Sequence, residues 1–175
     1  MFLKRAGRLE QSIEALKQLM AEQQCELGED HPDVFATRNN LALVLGNSGK
    51  VQEAISALEH LLSDKRRTLG NDHPGVLVTL ENIAVFLGET GRLEEAIDLY
   101  EGLLRDQQRI LNNDDRSILV TRCNQAQIFS RAGRFAEAID AFERVLSEQR
   151  RVLGEDHPDI LLTRNNLAIA RSEIG

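Results

Sequence analysis

The stretch GEDHPD occupies residues 28–33 and returns letter for letter at 154–159. TRNNLA fills 37–42 and returns at 163–168, so both hexamers recur at the same offset of 126 residues. Two matched hexamers at one offset point to a repeated unit, and the intervening chain gives its length. GEDHP starts at 28, GNDHP at 70, NNDDR at 112 and GEDHP again at 154, in steps of 42. A second motif keeps the same register: AGRLEQSI at 6–13, SGKVQEAI at 48–55, TGRLEEAI at 90–97 and AGRFAEAI at 132–139. A fixed period of this size is the mark of a repeat array, whose units each need a neighbour to bury their apolar faces.

Each unit reads as two helices. The first spans about Pro32 to Asn47, with Val34, Leu41 and Leu45 at helical spacing. Proline suits a first helical turn because its missing N–H has no intrahelical partner there. Asp30 or His31 stands where a cap belongs, and Gly49 where a tight turn needs positive φ. The second helix spans about Val51 to Leu69, with Ile55, Leu58, Leu61 and Leu62 as its stripe and Gly70 as its stop. No segment alternates with period two, so no strand is expected. The divisions are 8–28, a second helix alone; 29–70, 71–112 and 113–154, three whole units; and 155–175, a first helix alone. Leu167 and Ile169 are expected to face an absent partner helix, which points to an array continuing on both sides, with a short protein closed by degenerate caps as the lesser reading, and leaves the ends open to self-association.

Composition narrows the function. The 175 residues are 42% hydrophobic and 28% charged, with a formal net charge of −7. An acidic chain with 4% aromatics and no Trp is poorly suited to nucleic acid, which calls for cations and stacking rings. No apolar run approaches the roughly 18 residues of a membrane span, and the polar start is no signal peptide, so a cytoplasmic protein is expected. Cys25 and Cys123 form neither a disulfide framework nor a zinc pattern. No phosphate loop or catalytic constellation occurs, so no enzyme activity and no cofactor are expected. His31, His73 and His157 recur in register, but stacked loops would hold them too far apart for one ion, and capping is the reading taken. The basic runs DKRR at 64–67 and QRR at 149–151 close long helices, where cations suit the helix dipole.

The matched positions resemble the tetratricopeptide repeat: Leu41-Ala42, Gly49 and Ala54, then Ile83-Ala84, Gly91 and Ala96, then Gln125-Ala126, Gly133 and Ala138. The usual unit has about 34 residues, and here the second helix and its loop are longer. LGxDHPDV followed by NNLA resembles kinesin light chain repeats, and VFATRNNLA and ILLTRNNLA resemble arrays attached to bacterial NB-ARC-type signalling ATPases. The third unit departs from the pattern, with NNDDRS for the loop and Gln125 in place of Leu or Ile, a polar group that must find a hydrogen bond or stay wet.

The resemblance implies an all-α, right-handed superhelical solenoid of antiparallel helix pairs whose inner wall, built from first helices, binds peptides. It places Asn40, Asn82, Asn124 and Asn166 on that wall, where an amide can pair with backbone whatever the side chain. Asn39, Glu81, Cys123 and Asn165 precede them. Ala36, Val78, Val120 and Leu162 lie a turn to one side, and Leu43, Val85, Gln127 and Ile169 a turn to the other. The competing role for the Asn series is to bond neighbouring helices and hold the stack. Helices about 8–10 Å apart would let four first helices cover about eight or nine extended ligand residues. Arg38, Arg122 and Arg164 are expected to bridge to acidic residues of adjacent helices, with an acidic-motif clamp as the lesser reading. Cys123 has no nearby His to activate it. The expected function is a non-catalytic protein-interaction scaffold for an extended peptide, within a larger bacterial signalling protein. The alternatives are a spacer or self-assembly module without a peptide ligand, and a kinesin-light-chain-like cargo adaptor.

Overall fold

A His-Pro or Asp-Arg step opens each first helix, and the capping geometry explains the recurring loop. In the computed structural model, which describes residues 2–112 and 114–174 with side chains from 8 onward, His31 caps α2 (Pro32–Asn47). Its Nδ1 accepts a hydrogen bond from the Asp33 backbone N–H at 3.2 Å. His73 does the same for Gly75 at the start of α4 (Pro74–Glu89), and His157 for Asp159 at the start of α8 (Pro158–Ser172). The histidines are therefore helix caps, each satisfying one orphan backbone donor.

The divergent third loop solves the same problem with other residues. Asp115 caps α6 (Arg116–Arg131), accepting from both the Ser117 N–H and its hydroxyl, and these bonds hold its carboxyl below the usual range. Upstream, α3 (Val51–Leu69) and α7 (Phe135–Leu153) end on Gly70 and Gly154 at φ +86° and +85°. No glycine is available in the third loop. There α5 (Leu93–Ile110) stops on an extended Leu111 at φ −105°, and the Asn112 side chain closes an Asx turn by accepting from the Asp114 N–H. Asn113, in the same loop, lies outside the described residues, as do residues 1 and 175.

The remaining helix, α1, runs Phe2–Leu27. It begins six residues ahead of the expected start at 8, because Leu3, Lys4, Arg5 and Ala6 are good helix formers and no proline interrupts them. No strand occurs among the described residues, and none of their helices is long and apolar enough to cross a membrane.

The helices form two units. Met1–Thr90 holds α1 to α4, and Gly91–Gly175 holds α5 to α8. Within each unit every helix packs on the next, and alternate first helices also touch, α2 with α4 and α6 with α8. Short connections of a few residues reverse the chain each time. At Gly49, φ +90° lets the Lys50 N–H reach back to the Leu45 carbonyl, which turns the chain directly into α3.

The core follows the stripes. Ile55, Leu58 and Leu61 of α3 are fully buried, as are Val34 and Ala42 of α2. The expected placement of Leu167 is corrected here. It is buried with Ala126, Ala138, Phe142 and Ala170, because its face of α8 turns back onto α6 and α7. Ile169 is exposed, together with Leu161 and Leu162. Periodicity marks Leu167 as apolar-facing but not which neighbour it faces.

A polar rung crosses the core between each second helix and the following first helix. Thr37 donates to Gln23 Oε1 at 2.7 Å, Lys65 Nζ to Thr79 Oγ1 at 3.0 Å, and Gln107 Nε2 to Thr121 Oγ1 at 2.9 Å. Gln149 and Thr163 are buried in the fourth such place. Lys65 alone brings a charge, and Nζ also donates to the Gly75 carbonyl. Burial first, and then the nearby Arg38 guanidinium, lower its pKa below the ordinary lysine value.

Two outcomes follow from this packing. A Cβ on Gly46 would lie 2.2 Å from the ring of Phe86, a buried side chain with little room to retreat. Gly46→Ala should therefore destabilise by about 1–3 kcal/mol in urea unfolding, despite alanine's better helix propensity, and Phe86→Leu should recover part of the loss. Lys65→Gln, matching Gln23, Gln107 and Gln149, should stabilise by on the order of 1 kcal/mol at neutral pH. Below the folded-state pKa both states hold the proton, and the cost of the buried charge is complete. Between that pKa and the unfolded value of about 10.4, the unfolded chain holds more protons and wild-type stability rises with pH. The advantage of Gln should thus shrink across this alkaline window, as thermal melts at stepped pH would show.

Candidate groove on the first helices

The exposed faces of the first helices carry the expected residues, and the two units arrange them differently. In Met1–Thr90 the wall is built by α2 and α4. Asn82 Nδ2 donates to Asn39 Oδ1 at 3.0 Å across the helix pair. Part of the asparagine series therefore fastens neighbouring helices, as its competing role required. Asn82 keeps its carbonyl oxygen for other use, and the exposed Asn40 side chain makes no hydrogen bond among the described residues. Around them Val78 is 49% exposed, Ala36 is also open, and Leu43, Glu81 and Val85 are half-buried. The result is a shallow aliphatic surface with amide edges.

In Gly91–Gly175 the wall is built by α6 and α8 and closes into a groove of about 410 Å³. Val120, Cys123, Asn124, Gln127, Leu162 and Asn166 line it, with Thr163 and Gln149 at its floor. Residues four apart on α6 (Val120, Asn124) and on α8 (Leu162, Asn166) fall on one face, since 3.6 residues make a turn. A smaller hollow of about 150 Å³ continues past Gln127 and Asn166 to Ile169. At the other end Arg116 bridges α6 to Asp159 of α8 at 3.0 Å. Asn165 is exposed and lies off the groove lining.

The Cys123 sulfur sits 3.8 Å from Thr163 Oγ1 and accepts weakly from Gln127 Nε2 at 3.9 Å. The two side chains it contacts, Thr163 and Gln127, are neutral. The Asn166 side chain makes no hydrogen bond among the described residues, so both ends of its amide are open to a ligand. Asn124 is engaged within the protein. Val120 and Leu162, 38% and 65% exposed, supply apolar contact.

The arginines of the TRNNLA motif lie on a different face. Arg38 pairs with Asp64 of α3 at 2.8 Å and lowers that carboxyl's pKa, chiefly through the hydrogen bond. Arg122 pairs with Glu148 of α7. Both guanidinium groups are thus occupied in joining a first helix to its second, and Arg164 has no carboxylate partner among the described residues. Arginines of the basic runs are paired as well. Arg67 grips Asp30 of the GEDHPD loop with two hydrogen bonds, and Arg151 grips Asp114. That pairing is a further reason for the loop's aspartate to recur. Gln125 lines a separate polar hollow of about 380 Å³ among Arg122, Arg144 and Glu148, where it stays partly wet.

Sequence reasoning missed the threonine rungs, and it gave helix-to-helix bonding as the competing role of the asparagines without naming the Asn39–Asn82 pair. The rungs had a signal: Gln23 to Thr37, Lys65 to Thr79, Gln107 to Thr121 and Gln149 to Thr163 share one spacing of 14 residues.

The comparisons with known proteins agree with this architecture. No curated protein matches the chain. The solved structure of the nearly identical TPR-like repeats of a Podosopora anserina putative kinesin light chain is similar at 29% identity and TM-score 0.79, over 98% of this chain and 81% of that one. A single-substitution variant of that same protein aligns at TM-score 0.80 with the same identity and coverage. BtubC (BKLC) from P. vanneervenii shares the fold at TM-score 0.71, with 19% identity over 99% of this chain and 67% of that one. The family profile described as tetratricopeptide repeat matches residues 1–66, 33–105, 76–147 and 117–175, which together span the chain. The chain belongs to the tetratricopeptide repeat family.

Proposed function

We propose that the chain is a non-catalytic scaffold that captures an extended peptide carrying aliphatic side chains along the exposed faces of its first helices. The observation that carries this reading is the convergence of Val120, Leu162 and the open amide of Asn166 on one groove of about 410 Å³. An amide with both ends free can pair with a peptide backbone N–H and C=O at once, which favours main-chain capture over one particular side chain. The aliphatic flanks then select for apolar residues at alternate ligand positions, as an extended strand presents them. Arg38 and Arg122 are already paired, which argues against an acidic-motif clamp at those positions.

The scaffold reading extends to a place within a larger protein. The wording of the first helices supports the recruiting arm of a signalling protein, and the 29% identity to putative kinesin light chain repeats supports a cargo adaptor. Two free thiols, Cys25 and Cys123, suit a reducing compartment such as the cytoplasm.

Selection of a random peptide display library on the chain tests the groove. Enriched peptides should share spaced aliphatic residues. Their affinity should fall about tenfold or more on Leu162→Asp and on Asn166→Ala, in line with the loss of a central contact. Both sites are at least partly exposed, so circular dichroism and melting should remain unchanged. Peptides that bind these variants as well as the wild type would move recognition off the groove, and a selection without enrichment would favour the spacer role.

A further inference from the structure

The polar rungs share one spacing, but they differ in which groups they leave unmet. In the first, the Thr37 hydroxyl donates to Gln23 Oε1 at 2.7 Å, so the amide oxygen is satisfied. In the second, Lys65 has no acceptor to satisfy. In the third and fourth, the threonine turns its hydroxyl proton to its own helix: Thr121 donates to the Ser117 carbonyl at 3.0 Å, and Thr163 to the Asp159 carbonyl at 3.0 Å. Gln107 Oε1 and Gln149 Oε1 are left buried without a donor among the described residues. Each then bears the cost of lost hydration with nothing to offset it.

Gln149, unlike Gln107, lines the groove. It is 3% exposed, on the floor between α6 and α8 with Thr163 and Asp159. Asp159 takes both Arg116 bonds on Oδ2, which leaves Oδ1 open. The floor thus holds two acceptors in want of a donor, beneath the aliphatic Val120 and Leu162. Elsewhere the chain itself seats an ammonium in this place. Two repeats earlier the register puts Lys65 for Gln149, Gly75 for Asp159 and Thr79 for Thr163. There Nζ donates to Thr79 Oγ1 at 3.0 Å and to the Gly75 carbonyl at 3.1 Å. The rung between α7 and α8 has a neutral amide instead of that lysine, and a carboxylate instead of that glycine.

We propose that the groove of Gly91–Gly175 selects peptides carrying a lysine, whose ammonium donates to Gln149 Oε1 and pairs with Asp159 while its stem lies along Val120 and Leu162. This rests on the groove being a peptide site, and adds the side chain that the site reads. An ammonium brings three donors and no acceptor, so it meets both oxygens without leaving an acceptor of its own unpaired. The lysine stem is apolar, as the walls are. A guanidinium fork is matched to a carboxylate, and on Asp159 that place is already taken by Arg116. The terminal torsion of glutamine is broad, so a small turn of the amide brings Oε1 to the groove surface.

Parallel selection of one random peptide display library on the wild type, Gln149→Lys, Asp159→Gly and Leu162→Asp tests this. The wild type should enrich a lysine at a fixed spacing from the aliphatic residues. Gln149→Lys supplies the ammonium from the chain, as Lys65 does, and Asp159→Gly copies Gly75. Each should lose the lysine enrichment, with circular dichroism showing that it is folded. A second measurement needs no protein variant. An enriched peptide, made with an acetylated amino terminus to remove the other ammonium, should bind the wild type about tenfold or more weakly once norleucine replaces the lysine and keeps its stem. Enriched peptides that need Leu162 but carry no lysine, or carry arginine in its place, would overturn the lysine assignment and leave the groove reading standing. Peptides that bind Leu162→Asp as well as the wild type, or a selection without enrichment, would overturn both.

Discussion

A helix of this chain has two apolar faces to cover, and no helix can cover both with one neighbour. Everything else in the structure depends on that constraint. Within each unit a second helix docks on the first helix before it and on the one after it, as α3 does on α2 and α4 and α7 on α6 and α8, so the junctions must share one geometry. This is why the loops repeat more faithfully than the surfaces. GEDHPD sets a stop and a start together. Gly28 turns the chain out of α1 at φ +88°, His31 caps α2, Pro32 presets its first turn, and Asp30 is held by Arg67 from the far end of α3. A loop that drifted in angle would misplace the seam behind it.

The third loop shows how much variation the constraint allows. Asp115 replaces the histidine cap, and Asn112 replaces the glycine with a side-chain turn, yet α6 starts in the same register. The geometry is kept while the chemistry changes. The same logic separates the two jobs of the asparagines. Asn82 sits where two first helices approach, and its amide is drawn into the junction with Asn39. Asn166 lies along an open groove, and its amide stays free. Position in the repeat is shared, and environment decides the role.

Much of this was legible in the residues. The bounds of α2 and α3 follow from Pro32, Gly49 and Gly70, because proline and glycine carry backbone information that survives without tertiary context. The pairing of Arg38 and Arg122 with second-helix carboxylates was legible for a similar reason, since unit-to-unit repetition of a charge implies a repeated partner. Three things were not. Leu167 was expected at an open face and is buried, because helical periodicity reports an apolar side without naming the neighbour. The Asn39–Asn82 bond depends on the offset between two helices, across 43 residues of sequence, which local pattern does not encode. Lys65 reads as one of the cations that close a long helix, yet its place on the buried rung is set by the face of α3 rather than by its charge.

The central claim is that stability resides in the seams, so a helix with both faces covered is held more firmly than one with a single face covered. Amide hydrogen exchange on a dilute sample, resolved by helix, tests it most directly. Slow exchange should concentrate in α2 and α3 of the first unit and α6 and α7 of the second, which have packed neighbours on both sides. The amides of α1 and α8 should exchange markedly faster. Equal protection of the outer and inner helices would contradict the account, since it would mean that the helices are stable without the seams that the repeated sequence is spaced to build.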